Sequence, residues 1–166
     1  MTDVSAQPLV PPEAKAMIGK RLDRRSGVVY QKEAQRFAAA SGDMNPIYFD
    51  EAFARAHGYR TTPAPPLFLT QVLQGVTDLD RLSVDGVPTG GDSIPLNVQR
   101  KMAGGEEYEF LAPFYPGDTL TAETVLESLE QKAGRSGPFV LSVRTTTVRN
   151  QRVEVVAVSR ASGITR

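Results

Sequence analysis

Residues 37–48 read Phe-Ala-Ala-Ala-Ser-Gly-Asp-Met-Asn-Pro-Ile-Tyr, which brings a carboxylate, an amide and a phenol close together as Asp43, Asn45 and Tyr48. A carboxylate can orient water and take its proton. A phenol with a pKa of about 10 donates a hydrogen bond near neutral pH and cannot replace imidazole as a base poised near 7. Each residue also has a purely structural use. Asp43 can cap the turn that ends residues 32–41, Asn45 can tie the loop to its own backbone, and Pro46 fixes the chain direction. Tyr48 can line an apolar groove as an amphipathic aromatic. His57, the single histidine, falls at the expected end of a short helix, where a solvated partner for the helix dipole is the ordinary reading. Arg135, Ser136 and Gly137, with Lys132 nearby, could meet phosphates, although hairpin tips carry such residues for solubility as well. Gly90-Gly91 is followed by no Lys-Ser/Thr and no helix start, so it is no phosphate cradle.

The composition narrows the chemistry further. Cysteine is absent, which excludes disulfides, a thiolate nucleophile and Cys-ligated zinc. No cluster of metal-ligating residues stands out. Nineteen basic and nineteen acidic residues cancel, so nothing draws nucleic acid or an anionic membrane across the whole surface. No apolar run approaches the roughly 20 residues of a membrane helix. The first twelve residues lack the basic and apolar regions of a secretory signal, so a cytoplasmic location is expected. At 166 residues the chain fits one core: residues 1–15 as an N-terminal tail, flexible or clamped, and 16–166 as a single domain.

The elements that must position these residues follow from periodicity. Ala34, Phe37, Ala38 and Ser41 recur at helical spacing over 32–41, and Gly42 stands where that helix would end. Asp50 can cap a short helix running to about His57, closed by Gly58. Pro63, Pro65 and Pro66 mark the entry to a third helix, about 66–74, with apolar rows Phe68–Val72 and Leu69–Leu73 and a stop at Gly75. Residues 76–93 read as a long surface loop. From Ile94 the period changes to two. Ile94, Leu96 and Val98 alternate with polar residues, as do Tyr108, Phe110 and Ala112. Leu120, Ala122 and Leu126 follow, then Phe139, Leu141 and Val143, then Val153, Val155 and Ala157. Pro116-Gly117 suits the centre of a type II turn, residues 134–138 and 150–151 suit hairpin turns, and an early strand is expected near 27–30. Helices segregated from antiparallel strands indicate an α+β domain, a curved sheet wrapped round one apolar helix. Such a sheet keeps exposed edges, so dimerisation is expected.

The blocks at 37–48, Asp50-Glu51-Ala52, Gly58-Tyr59 and Ala64-Pro65-Pro66-Leu67-Phe68 resemble the MaoC-like dehydratase superfamily. Pro113, Pro116-Gly117-Asp118 and Arg135-Ser136-Gly137-Pro138-Phe139 resemble its N-terminal, FAS1-like dehydratase subgroup. The resemblance implies the hot-dog fold. It also implies hydration or dehydration of acyl thioesters, typically trans-2-enoyl-CoA and (R)-3-hydroxyacyl-CoA, without metal or organic cofactor. Members carry Gly-Asp-x-Asn-Pro, an apolar residue and a histidine, and the aspartate and histidine handle the water. Backbone N–H groups at the start of the central helix receive the charge on the thioester oxygen. By this resemblance Asp43 is the water-handling carboxylate and Asn45 positions its loop, while Tyr48 occupies the histidine position. Pro66, Leu67 and Phe68 form the helix start against the substrate, and Arg135, Ser136 and Gly137 are candidates for the CoA phosphates. Proline offers no N–H, so Leu67 or Phe68 must supply any amide there.

Three functions are consistent with these residues. The chain could be a self-sufficient homodimeric hydratase using Asp43. It could be one half of a heterodimer whose MaoC-like partner keeps both aspartate and histidine. It could be a non-catalytic binder of acyl-CoA or another acyl thioester. Tyr48 and the prolines favour the second, and retention of Asp43 and Asn45 argues against the third.

Overall fold

Val, Thr and Ser recur through residues 119–165, side chains that suit a pleated, half-buried surface better than a helix. The computed structural model describes residues 8–75, 79–82, 84, 86 and 94–166. Strands β1 (Arg21–Val28), β2 (Lys101–Phe110), β3 (Thr119–Gly134), β4 (Gly137–Arg149) and β5 (Val155–Thr165) form one sheet in the order β1-β3-β4-β5-β2. Every neighbouring pair is antiparallel. Helices α1 (Pro12–Lys15), α2 (Gln31–Ala40), α3 (Glu51–Ala56) and α4 (Leu69–Leu73) all precede β2. This is the expected α+β arrangement. No helix among the described residues is long and apolar enough to cross a membrane.

Two apolar clusters sit on the inner face of the sheet. Phe68 and Leu69, at the start of α4, pack with Leu120, Ala122, Val148, Val156 and Phe114 in the first. Val10, Ala14, Leu22, Ile94, Leu126 and Val140 make the second. Val10 and Ala14 therefore clamp residues 8–15 to the sheet, and Asn97 Nδ2 donates to the Pro8 carbonyl at 2.8 Å. Gly27 allows α4 to approach β1. A Cβ there would lie 2.1 Å from the Val72 carbonyl oxygen.

Several expectations hold residue by residue. Asp50 Oδ1 accepts from Phe53 N–H at 3.0 Å at the start of α3, and Gly42 and Gly58 take φ of 77° and 89° after their helices. Asp118 N–H donates to the Tyr115 carbonyl at 2.9 Å, with Gly117 at φ 87° in the third position of a type II turn.

Others are corrected. The early strand is Arg21–Val28, ahead of the expected 27–30. The third helix is broken: Pro66–Phe68 is a 3-10 turn and only Leu69–Leu73 is α-helical, because the run of prolines delays regular hydrogen bonding. Ile94, Leu96 and Val98 do face the core but form no strand, since Asn97 N–H bonds to Leu9 and Arg100 pairs with Arg166. In β4 the buried residues are Val140, Ser142 and Val148, so Phe139, Leu141 and Val143 lie on the outer, half-exposed face. Val153 sits in the turn before β5 at φ 64° and is exposed. The expected loop at 76–93 lies mostly outside the described residues; of the part that is described, 79–81 form a short 3-10 turn.

Candidate functional site

The loop after α2 is built by its own side chains. Gly42 reverses the chain, Asp43 Oδ1 accepts from Asn45 N–H at 3.2 Å, and Asn45 Oδ1 accepts from Ile47 N–H at 3.1 Å. These two bonds are the turn-capping roles available to the pair. They also start the 3-10 turn Pro46–Tyr48, which turns Tyr48 inward while Asp43 and Asn45 stay exposed. Gln35 Nε2 donates to the Tyr48 carbonyl at 3.1 Å and joins this turn to α2. Tyr48 is only 8% exposed. Burial raises its phenol pKa above the ordinary value. The Asp43 carboxylate raises it further, by charge and as hydrogen-bond acceptor, and Tyr59 adds a smaller push. The phenol is therefore held protonated at neutral pH, as a donor beside a carboxylate.

Tyr48 borders a half-open cavity of about 240 Å³. Ile47 and Tyr48, Tyr59, Pro63, Ala64 and Pro66, and the 110–114 segment at the end of β2 line it. The structure thus brings Tyr48 and Pro66 together, with Asp43 acting on the phenol from outside the lining. At the helix start, Phe68 N–H already donates to the Pro65 carbonyl at 2.9 Å. Leu67 N–H makes no hydrogen bond among the described residues. Leu67 itself is 49% exposed. Of the two amides that could stand in for the missing proline N–H, Leu67 is the one left available.

Arg135, Ser136 and Gly137 form the tip of the β3–β4 hairpin, where Gly134 pairs with Gly137. The Thr121↔Arg149 pair marks the other end of the same ladder. At about 3.3 Å per residue the two ends are roughly 40 Å apart. The tip contributes nothing to the cavity within one chain. His57 also stays outside it: the ring is exposed, stacks on Phe53 with centroids 4.1 Å apart, and has Nδ1 2.8 Å from the Phe53 carbonyl oxygen.

One group escaped the sequence reading. Asp118, 2% exposed, accepts from Arg60 Nη2 at 2.8 Å, Gln151 Nε2 at 2.9 Å and Tyr115 N–H at 2.9 Å. Arg60 also lies over the Tyr115 ring, 4.1 Å from its centroid. Burial alone would raise the Asp118 pKa, but the bonds from Gln151, Tyr115 and Arg60, with the charge of Arg60, outweigh it and hold the carboxyl below its usual range. This knot joins the segment carrying Tyr59 and Pro63 to the one carrying Pro113 and Phe114, two walls of the cavity. A polar residue directly after a Pro-Gly turn was the available signal.

Comparison with known proteins bears on the family and the fold. Residues 16–159 match the FAS1-like, dehydratase domain region. A UPF0336 protein of Parafrankia sp. is 30% identical over 125 residues, 75% of this chain and 77% of that protein. A probable enoyl-CoA hydratase alpha subunit of Thermomonospora curvata is 31% identical over 137 residues, 76% of this chain but 41% of the longer relative. Among solved structures, the ChsH1-ChsH2 complex from Mycobacterium tuberculosis contains a chain that superposes with a TM-score of 0.72 at 22% identity, covering 92% of this chain and 88% of that one. That likeness establishes the hot-dog fold.

Proposed function

Because the chain belongs to the FAS1-like dehydratase family of MaoC-like hot-dog proteins, we propose that it is one half of a two-component acyl-thioester hydratase, paired with a MaoC-like subunit that carries the complete aspartate–histidine signature. The observation that carries this reading is Tyr48: a buried phenol whose pKa is raised stands where the family places its histidine. Adding water to an enoyl thioester requires a base for the water, a proton for the α-carbon and donors for the developing oxyanion. Tyr48 can donate to a water or a carbonyl but cannot take the water's proton at neutral pH. Pro66 removes one helix-start amide, leaving Leu67 N–H. This cavity is suited to holding an acyl thioester more than to activating water.

The test is reconstitution. The isolated chain is expected to hydrate enoyl-CoA at a rate lower by about 10²–10⁴-fold, the usual loss without a general base. Activity should appear on mixing with a hot-dog partner bearing Gly-Asp-x-Asn-Pro-x-His, and Asp43→Asn should then change kcat little. Brisk turnover by the chain alone, abolished by Asp43→Asn and raised by Tyr48→His, would establish the self-sufficient homodimer instead. The closeness of Asp43 to Tyr48 is the observation that keeps this second reading alive. Tight thioester binding with no activity beside any hot-dog partner would establish a binding protein.

A further inference from the structure

One edge of the sheet is long, open and acidic. β2 closes the strand order at one end and pairs on one side only, with β5. Its second half reads Glu106-Glu107-Tyr108-Glu109-Phe110, and all three glutamates are exposed. None of them makes an ion pair among the described residues. Arg160, which faces Glu107 across the ladder, is already forked onto Glu127 at 2.6 and 2.9 Å. The opposite edge differs. On β1, Arg21 and Arg24 lie 3.1 and 3.6 Å from Glu123, and Arg25 pairs with Asp23. Free backbone N–H and C=O groups along an edge are a template for another strand, and the unpaired carboxylates of β2 decide which strand that can be.

The acidic half is also the part of β2 that reaches the cavity. At the bulge, Ser162 Oγ accepts from Gly105 N–H at 2.8 Å and donates to the Gly105 carbonyl at 3.1 Å. The irregularity there sets Glu106–Phe110 apart from Lys101–Ala103. Phe110 then ends the strand and begins the 110–114 segment of the lining. A strand laid along Glu106–Phe110 therefore arrives at the cavity wall.

A second copy of this chain is the wrong occupant. Two identical edges that join antiparallel in one continuous sheet are related by an axis normal to the sheet, so the central residue faces its own counterpart. Centred on Glu106, Glu107 or Glu109, a glutamate faces a glutamate. Centred on Tyr108, Glu107 and Glu109 face each other twice. Centres at 102–105 run the ladder through the bulge, and centres at 101 or 110 leave half of it beyond the ends of the strand. Like charges directly opposite are destabilising, and a strand bearing lysine or arginine reverses the sign.

We propose that Glu106–Phe110 is the edge on which the catalytic partner docks by strand addition. Its three carboxylates select a hot-dog subunit whose own edge strand carries lysine or arginine, and they reject a second copy of this chain. This rests on the two-component reading above and specifies the partner and the place of assembly.

The chain can serve as its own probe. Glu106→Lys/Glu107→Lys/Glu109→Lys keeps the strand and reverses its charge, and Glu106→Gln/Glu107→Gln/Glu109→Gln removes the charge alone. In sedimentation velocity at about 50 mM salt, the wild type and the lysine variant should each self-associate about ten-fold or more weakly than their equimolar mixture associates. The glutamine variant should self-associate about ten-fold more tightly than the wild type. Both differences should shrink at about 0.5 M salt, where screening acts within about 4 Å. Hydrogen exchange in the mixture should slow within residues 101–111 relative to either protein alone. Wild-type self-association as tight as that of the glutamine variant, a mixture no tighter than its parts, or a mixed dimer without protection at β2 overturns the proposal. Assemblies that lengthen with concentration and protect β1 as well would join β1 to β2 head to tail, and overturn it too. Beside a subunit bearing Gly-Asp-x-Asn-Pro-x-His, the lysine variant should restore less hydratase activity than the wild type at limiting concentration. Equal activity overturns the charge selection and leaves the two-component reading standing. No activity with any such subunit, while the mixing results hold, overturns that reading and leaves the selectivity of the edge standing.

Discussion

At the scale of single residues, a buried group is defined by what accepts or supplies its proton. Tyr48 and Asp118 illustrate this with opposite signs. Burial and the Asp43 carboxylate raise the pKa of Tyr48, whereas hydrogen bonds from Gln151, Tyr115 and Arg60 overcome burial and lower that of Asp118. A carboxyl with a folded pKa below its unfolded value of about 3.9 contributes stability at every pH above that value. The contribution is lost as pH falls through the folded pKa, because protonation is then more favourable in the unfolded chain. Asp118→Asn is therefore expected to lower stability at pH 7 by about 1–3 kcal/mol, the range for bonds to a buried charged group. The deficit should shrink as pH falls below the unfolded value of about 3.9. Urea unfolding of both proteins at pH 7 and pH 2.5 checks this, and a deficit independent of pH would mean that packing, not charge, is what Asp118 provides. Since the same carboxylate ties together two walls of the cavity, loss of ligand affinity should accompany loss of stability.

At the scale of elements, close approach decides more than propensity does. α4 is only five residues long, too short to be stable alone, and it is held by Phe68 and Leu69 in the core and by the contact between Val72 and Gly27. Gly27→Ala would drive a methyl into the Val72 carbonyl, and an expected loss of about 1–3 kcal/mol follows from overpacking. The thermal midpoint should report it, whereas the same change at exposed Gly75, where a Cβ meets nothing within 4 Å, should leave the midpoint nearly unchanged. Such approaches also explain which parts of the fold can be read from sequence. The helix over 32–41, the cap at Asp50 and the turn at Pro116-Gly117 are local, and residue type alone announces them. The buried face of β4 is not local. Phe139, Leu141 and Val143 are the more apolar set, yet pairing with β3 through the irregularity between Leu126 and Ser128 directs Val140, Ser142 and Val148 inward. In the same way the loop 42–48 was legible because Asp43 and Asn45 bond within two residues of themselves. Asp118 was not, because its partners Arg60 and Gln151 are 58 and 33 residues away.

At the scale of the whole molecule, the question is what covers the cavity. It is half open, and Phe110 and Leu111 in its lining are 42% and 51% exposed. Both outer strands resist simple ladder extension: β1 carries Arg21, Asp23, Arg24 and Arg25, and β2 carries Glu106, Glu107 and Glu109 beside the irregularity at Gly104-Gly105. Charged edges of this kind suppress indiscriminate strand addition. An apolar rim with charged edges favours a specific partner seated over the cavity, in line with a stable interface of about 1,600 Å² in total. Sedimentation velocity at micromolar concentration should therefore show a dimer or larger species, either of this chain alone or with a hot-dog partner of the kind proposed above. Leu111→Asp places a charge in the rim without touching the core, so it should shift the distribution to monomer while the far-ultraviolet circular dichroism stays unchanged. A wild-type chain that stays monomeric both alone and in the presence of MaoC-like partners would leave the cavity permanently open. The two-component site would then have no structural basis.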